Sequence, residues 1–247
     1  MEVIIYEKKM LVVCILALLW GMTVWAGREK YAYYYDLSKG QDTEVTVMNL
    51  GTESAYFTLR VFDCSGKLIY ADSNMLSEGD STFYSLGSEI GPGSYRWGIV
   101  VVETDDDNFL ALGVEYYADG KLVSVDNIIE PIPVGSKSRD YWYCIYYANV
   151  GVADTGLVVM NPEWDPTSVK VYVHKENGDL VYQERKTLDG HEAYFLDLEE
   201  LAGQGSYFWG AVDVWTDDPI VLACEYYHRR GSKLEIDNVV DWYAWQD

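Results

Sequence analysis

The 247 residues are 49% hydrophobic and 23% charged, a balance that excludes the disordered and fibrous classes. A formal net charge of −22 repels phosphate backbones and so excludes nucleic acid as a partner. Cations or basic surfaces would complement such a charge, whose simplest role is solubility.

Lys8 and Lys9 precede Met10 to Ala26, 17 residues without a charge, and Val24-Trp25-Ala26 puts small residues where a signal peptidase cuts. Residues 1–26 are therefore read as a signal peptide, and the protein as exported to the periplasm, the cell surface or the medium. An uncleaved anchor is the alternative, although 17 residues fall short of the ~20 that a membrane span needs. Cys14 lies inside the apolar run rather than after it, which argues against a lipoprotein. No later segment is long and apolar enough to span a membrane.

The rest of the chain repeats itself. Residues 47–106 align with 159–218 without a gap and share 21 identities in 60 positions. Val47-Met48-Asn49 matches Val159-Met160-Asn161, and the run from Gly91 to Gly98 (GPGSYRWG) matches that from Gly203 to Gly210 (GQGSYFWG). Farther on, Glu115-Tyr116-Tyr117 matches Glu225-Tyr226-Tyr227, and Asp126-Asn127 matches Asp237-Asn238. This is a duplication, with one copy in residues 27–134 and the other in 135–247. Pro131, Pro133 and Gly135 mark a short, stiff join.

Within each copy the pattern predicts about eight strands, beginning in the first near residues 31, 43, 55, 67, 81, 94, 109 and 121. Phe57, Leu59 and Val61 alternate with polar neighbours, as do Val169, Val171 and Val173, the period of a half-buried strand. Cys64-Ser65-Gly66-Lys67 and Asn177-Gly178-Asp179 then predict tight hairpins. Trp97 is out of phase with Val100, so a β-bulge is expected at Gly98 and at Gly210. Leu198 to Ala202 is the best helix candidate, at one or two turns. Many short strands with regular turns predict an all-β fold, two tandem antiparallel β-sandwich domains.

The segments Val158 to Tyr182 (VVMNPEWDPTSVKVYVHKENGDLVY) and Trp215 to Tyr227 (WTDDPIVLACEYY) resemble bacterial β-sandwich domains of the sensory rhodopsin transducer type. The resemblance covers about half of each copy and lies mostly in turn chemistry. It implies architecture and no function. The first copy departs from it, with Leu50 and Asp107 where the prolines would stand. The signal peptide also sets this chain apart from the intracellular transducers.

No GxSxG, HExxH, P-loop or GxGxxG signature is present, so no residue is assigned a catalytic role. Cys64, Cys144 and Cys224 lack CxxC spacing, which excludes a typical zinc site. Cys144 and Cys224 are read either as a disulfide or as buried thiols. Asp105, Asp106 and Asp107 with Asn108, and Asp217 with Asp218, fall in the same loop of each copy. Such loops hold calcium or, more simply, form Asp-rich turns. Glu115 with Asp126 and Asn127, repeated as Glu225 with Asp237 and Asn238, sits in an apolar setting. A carboxylate there needs a partner or a cation, so each group is read as a ligand or metal site or as a polar pair that fixes strand register.

Aromatics make up 15% of the chain, with 22 Tyr and 9 Trp. Tyr31, Tyr33, Tyr34 and Tyr35 crowd one strand, and Tyr141, Trp142, Tyr143, Tyr146 and Tyr147 crowd its counterpart. Most are expected to fill the sandwich. Trp164 is the best single candidate for an exposed ring, and Trp215 replaces Glu103 of the first copy, so both are candidate ligand contacts. Three functions follow: a non-catalytic module binding a glycan or envelope protein, a structural component of an envelope assembly, and a hydrolase using carboxylates such as Glu115 and Asp126.

Overall fold

A computed structural model describes residues 29–38, 40–91, 96–104, 109–132, 140–149, 153–202, 208–228, 232–239 and 243–245. The proposed leader, Asp105 to Asn108 and most of the join lie outside them.

The alternation read from the sequence becomes strands. In the first copy these are β1 (Glu29–Asp36), β2 (Gln41–Asn49), β3 (Ala55–Asp63), β4 (Leu68–Leu76), β5 (Ser81–Ser85), β6 (Trp97–Thr104), β7 (Leu110–Ala118) and β8 (Lys121–Ile128), with a short helix α1 (Leu86–Ile90) after β5. The second copy repeats them as β9 (Asp140–Asn149), β10 (Ala153–Met160), β11 (Thr167–Lys175), β12 (Leu180–Leu188), β13 (Ala193–Asp197), α2 (Leu198–Ala202), β14 (Phe208–Thr216), β15 (Val221–His228) and β16 (Ser232–Val239). A short β17 (Tyr243–Trp245) is added at the end. The helix expected at Leu198 to Ala202 forms, and α1 is its counterpart.

Each copy is an antiparallel sandwich with one topology. Sheets β1-β6-β3-β4 and β5-β2-β7-β8 make the first; β12-β11-β14-β9-β17 and β13-β10-β15-β16 make the second. Tyr31, Tyr33, Phe57, Leu59, Val61, Val100, Val102, Val114 and Tyr116 fill the first core, and Tyr143, Val171, Val173, Val212, Val214 and Leu222 the second.

A buried asparagine ties each sandwich at the same corner. Asn49 Nδ2 donates to the carbonyls of Glu53, Leu76 and Ser77 at 2.7, 3.2 and 3.2 Å, and its Oδ1 accepts from Gly51 N at 2.9 Å. Asn161 repeats the set with Asp165, Leu188, Asp189 and Glu163 N at 2.8, 3.4, 3.0 and 2.9 Å. The identity of these two residues in the repeat has this physical cause: only an amide offers both donors and an acceptor there.

The two sandwiches dock sheet against sheet. The outer face of β1-β6-β3, carrying Ala32, Tyr34, Ile99, Val101 and Phe62, is buried, as are Val158, Met160, Ala193, Val221, Ala223 and Ile236 on the outer face of β10-β13-β15-β16, and all belong to one continuous core. Burial of each large apolar side chain contributes about 1.5–3 kcal/mol, which outweighs the rim ion pairs at about 0–1 kcal/mol apiece. The pair that crosses the joint is Lys30 Nζ with Glu163 at 2.7 Å; Arg60 with Glu103 lies beside it within the first sandwich.

The docking corrects one expectation. β6 pairs without interruption through Gly98, with Tyr35 on one side and Asp63 on the other. The bulges lie instead between Val61 and Phe62 and between Val173 and His174 on the β4 and β12 edges. Trp97 and Val100 need no phase change because both faces of β6 are covered. Gly98 and Gly210 answer a close approach: a Cβ would clash with the carbonyl oxygen of Phe62 at the first and with that of His174 at the second.

Candidate functional site

The carboxylates singled out in each copy do not meet. The β7–β8 hairpin forms, but Glu115 faces Val125 while Asp126 faces Val114, so the two side chains lie on opposite faces of the sheet. In the second copy Glu225 faces Ile236 and Asp237 faces Cys224. A register shift between Tyr116 and Tyr117, repeated between Tyr226 and Tyr227, causes this; without it Asp126 would share the face of Glu115. Each glutamate instead accepts from the tyrosine two residues on, Tyr117 at 2.5 Å and Tyr227. Asn127 and Asp237 are exposed. The carboxylate cleft expected of a hydrolase is therefore not formed by Glu115 and Asp126.

Asp126 and Asn238, equivalent segments of different copies, meet each other across the joint. Asn238 donates to Asp126 Oδ2 from its backbone N at 3.1 Å and from Nδ2 at 2.6 Å. Nδ2 also donates to Tyr116 Oη at 2.6 Å, Tyr116 Oη donates to Tyr34 O at 2.7 Å, and Tyr34 N donates back to Asn238 Oδ1 at 2.9 Å. Burial raises the proton affinity of Asp126 against the lowering effect of those Asn238 bonds.

Asp217 is exposed, and Asp218 closes a turn in which Thr216 Oγ1 donates to Asp218 O at 2.9 Å. No group of three or more His, Cys, Asp or Glu side chains suited to a metal occurs among the described residues. Asp105, Asp106 and Asp107 lie outside them. Cys64, Cys144 and Cys224 are free thiols. Cys144 is exposed and Cys224 is buried in the second core, so the disulfide is not formed.

Trp164 is 61% exposed, yet one edge of it closes the joint. Its ring meets His191 at 4.3 Å and Phe62 of the other copy at 5.7 Å, and His191 stacks on Phe62 at 3.8 Å. Burial, then the nearby Lys30 ammonium, pulls the pKa of His191 down to about 4. An unfolded histidine titrates near 6.5. The stability that depends on a neutral His191 is thus complete above about pH 6.5 and is lost as pH falls toward 4. Replacing His191 by Asn, which tolerates its φ of 60°, should flatten the melting-temperature profile across that window relative to the unmodified protein; parallel profiles in calorimetry would refute this.

The outer face of β9-β14-β11 carries an aromatic surface that the joint leaves uncovered. β9 alternates, sending Tyr141, Tyr143 and Tyr147 into the core and Trp142, Cys144 and Tyr146 outward. Trp142 stacks on Trp215 at 6.0 Å and 28°, and Tyr146 lies 6.1 Å from Trp209. Between the pairs sits Asp213, whose Oδ1 accepts from Trp142 Nε1 at 3.0 Å and whose Oδ2 is 3.5 Å from His174 Nε2. Tyr146 and Trp209 are 56% and 43% exposed. Sequence reading singled out Trp215 alone here; the signal for the rest was the phase of Trp142 and Tyr146 against the core tyrosines of the same strand.

No protein-family model and no curated protein matches the chain. Among solved structures, it overlaps the PBSX exported protein XepA at a TM-score of 0.26 and 11% identity, covering 76% of this chain and 81% of the other. A lectin from Pleurotus ostreatus overlaps at 0.24 and 10%, covering 90% and 78%. A putative β-galactosidase from Bacteroides fragilis overlaps at 0.21 and 11%, where 89% of this chain spans 35% of the enzyme. Overlap this slight carries no argument about fold or ligand.

Proposed function

We propose that this protein is an exported, non-catalytic binding and adhesion module of the cell envelope, and that its contact surface is the outer face of β9-β14-β11. The observation that carries the reading is the pair of exposed rings Tyr146 and Trp209 beside the Trp142–Trp215 stack. Flat rings around a polar centre suit a sugar ring or a protein surface. The structural use of Glu115, Glu225 and Asp126 supports a non-catalytic role for them.

The chain from Gly27 onward, incubated with insoluble polysaccharides and envelope preparations, should be retained. Tyr146→Ala with Trp209→Ala should cut retention at least about tenfold, since a buried aromatic anchor contributes about 2 kcal/mol or more. Chelator tests the acidic loops separately. Retention unchanged by the double substitution, or no retention on any matrix, would remove the reading.

A further inference from the structure

We propose that the partner of this face is a second copy of the chain: the outer face of β9-β14-β11 in one molecule docks on the outer face of β2-β5-β7 in the next, repeating the contact that joins the two sandwiches. This deepens the binding-face reading and rests on it.

The four sheets stack in the order β5-β2-β7-β8, β1-β6-β3-β4, β13-β10-β15-β16, β12-β11-β14-β9-β17, and the joint consumes the two middle outer faces. Because the copies share one topology, each consumed face has an equivalent at the opposite end of the molecule. In the joint, Tyr34 lies 6.4 Å from Trp97, and Trp97 packs on Phe195 at 6.5 Å. Their equivalents in the repeat are Tyr146, Trp209 and Phe83. Tyr146 and Trp209 keep the paired geometry at 6.1 Å. All three are exposed, at 56%, 43% and 57%. Met48 and Val125, 38% and 50% exposed, likewise stand where the joint buries Met160 and Ile236. The Glu225–Tyr227 bond of the docked face recurs on the free face as Glu115–Tyr117. Both free ends thus retain contact residues of an interface that the molecule already forms once.

The match is not complete. Thr46 and Glu44 replace Val158 and Gly156, and Asp213 replaces Val101, so the contact between molecules is weaker and wetter than the joint. The net charge of −22 opposes it further, so association should strengthen with salt. The two surfaces differ, which makes the contact heterologous and the assembly open-ended.

Sedimentation of the purified protein at several salt concentrations tests this with two exposed-site variants, Trp209→Glu and Phe83→Glu, each first shown to melt like the unmodified protein. Over about 1–1000 μM, the range of weak to moderate affinity, the unmodified protein should grow in mass with concentration and with salt. Each variant alone should stay monomeric, because each lacks one of the two faces. Mixed, they should form a 1:1 dimer and nothing larger, through the one intact pair of faces. A monomeric mixture, a variant that assembles alone, or an unmodified protein that stays monomeric throughout would overturn the proposal. Polysaccharide retention that depends on Trp209 without self-association would overturn it while leaving the binding face in place.

Discussion

Asn238→Ala is expected to lower the melting temperature by about 6–12 °C and to separate unfolding into two steps. The substitution leaves the buried Tyr34 amide without its acceptor and removes both side-chain donors that Asn238 supplies to Asp126 and Tyr116. An unsatisfied buried group costs about 1–3 kcal/mol, and the loss of further bonds brings the total to about 3 kcal/mol. For a chain of this size each kcal/mol moves the midpoint by about 2–4 °C. The damage falls on the joint alone, since none of these bonds lies within the second core. The first and second sandwiches should therefore part before either unfolds. Calorimetry decides it: a single unshifted transition would show that apolar burial fixes the joint without this network. Asn238→Asp is the sharper companion, because a second carboxylate beside Asp126 should destabilise at neutral pH and recover in acid.

Asn161→Ala is expected to remove about 3 kcal/mol or more, with urea unfolding as the measurement. Asn161 is fully buried and its amide serves three carbonyls and one backbone N–H. Alanine supplies none of these, and it leaves a cavity too. The urea midpoint should fall at an unchanged slope, because the native surface is unaltered. Asn49→Ala should act equally in the first sandwich, where the bonds are the same. A loss below about 1 kcal/mol would mean that water replaces the amide at both corners.

The strands were legible because half-buried strands alternate. Val169, Val171 and Val173 point inward while Lys170 and Tyr172 do not, and Gly66 and Gly178 turn the hairpins with φ of 80° and 85°. The joint was not legible by that rule, because β6 and β10 are covered on both faces and carry runs such as Ile99 to Val102 and Leu157 to Met160. Its trace lies in the difference between copies: Ile99 and Val101 in the docked strand, Ala211 and Asp213 in the free one. The Glu115–Asp126 pair failed for a different reason. Its placement depends on one extra residue in a hairpin, which reverses every side chain beyond it.

The closure of the joint by Asn238 also dictates when the protein can be finished. Tyr34 stands in the first strand, and its amide waits for an acceptor 204 residues farther along. β1 lies at the margin of its sheet, where unsatisfied backbone groups invite stray pairing. As the chain emerges, the first sandwich can gather its own sheets but leaves the apolar outer face of β6 open until the second copy arrives, and the Tyr34 amide open until nearly its last strand. Pairing over such distances is slow and leaves sticky intermediates. The interval between completing the first half and completing the second is therefore the period of greatest risk, and it is a period in which the chain would gain from a chaperone.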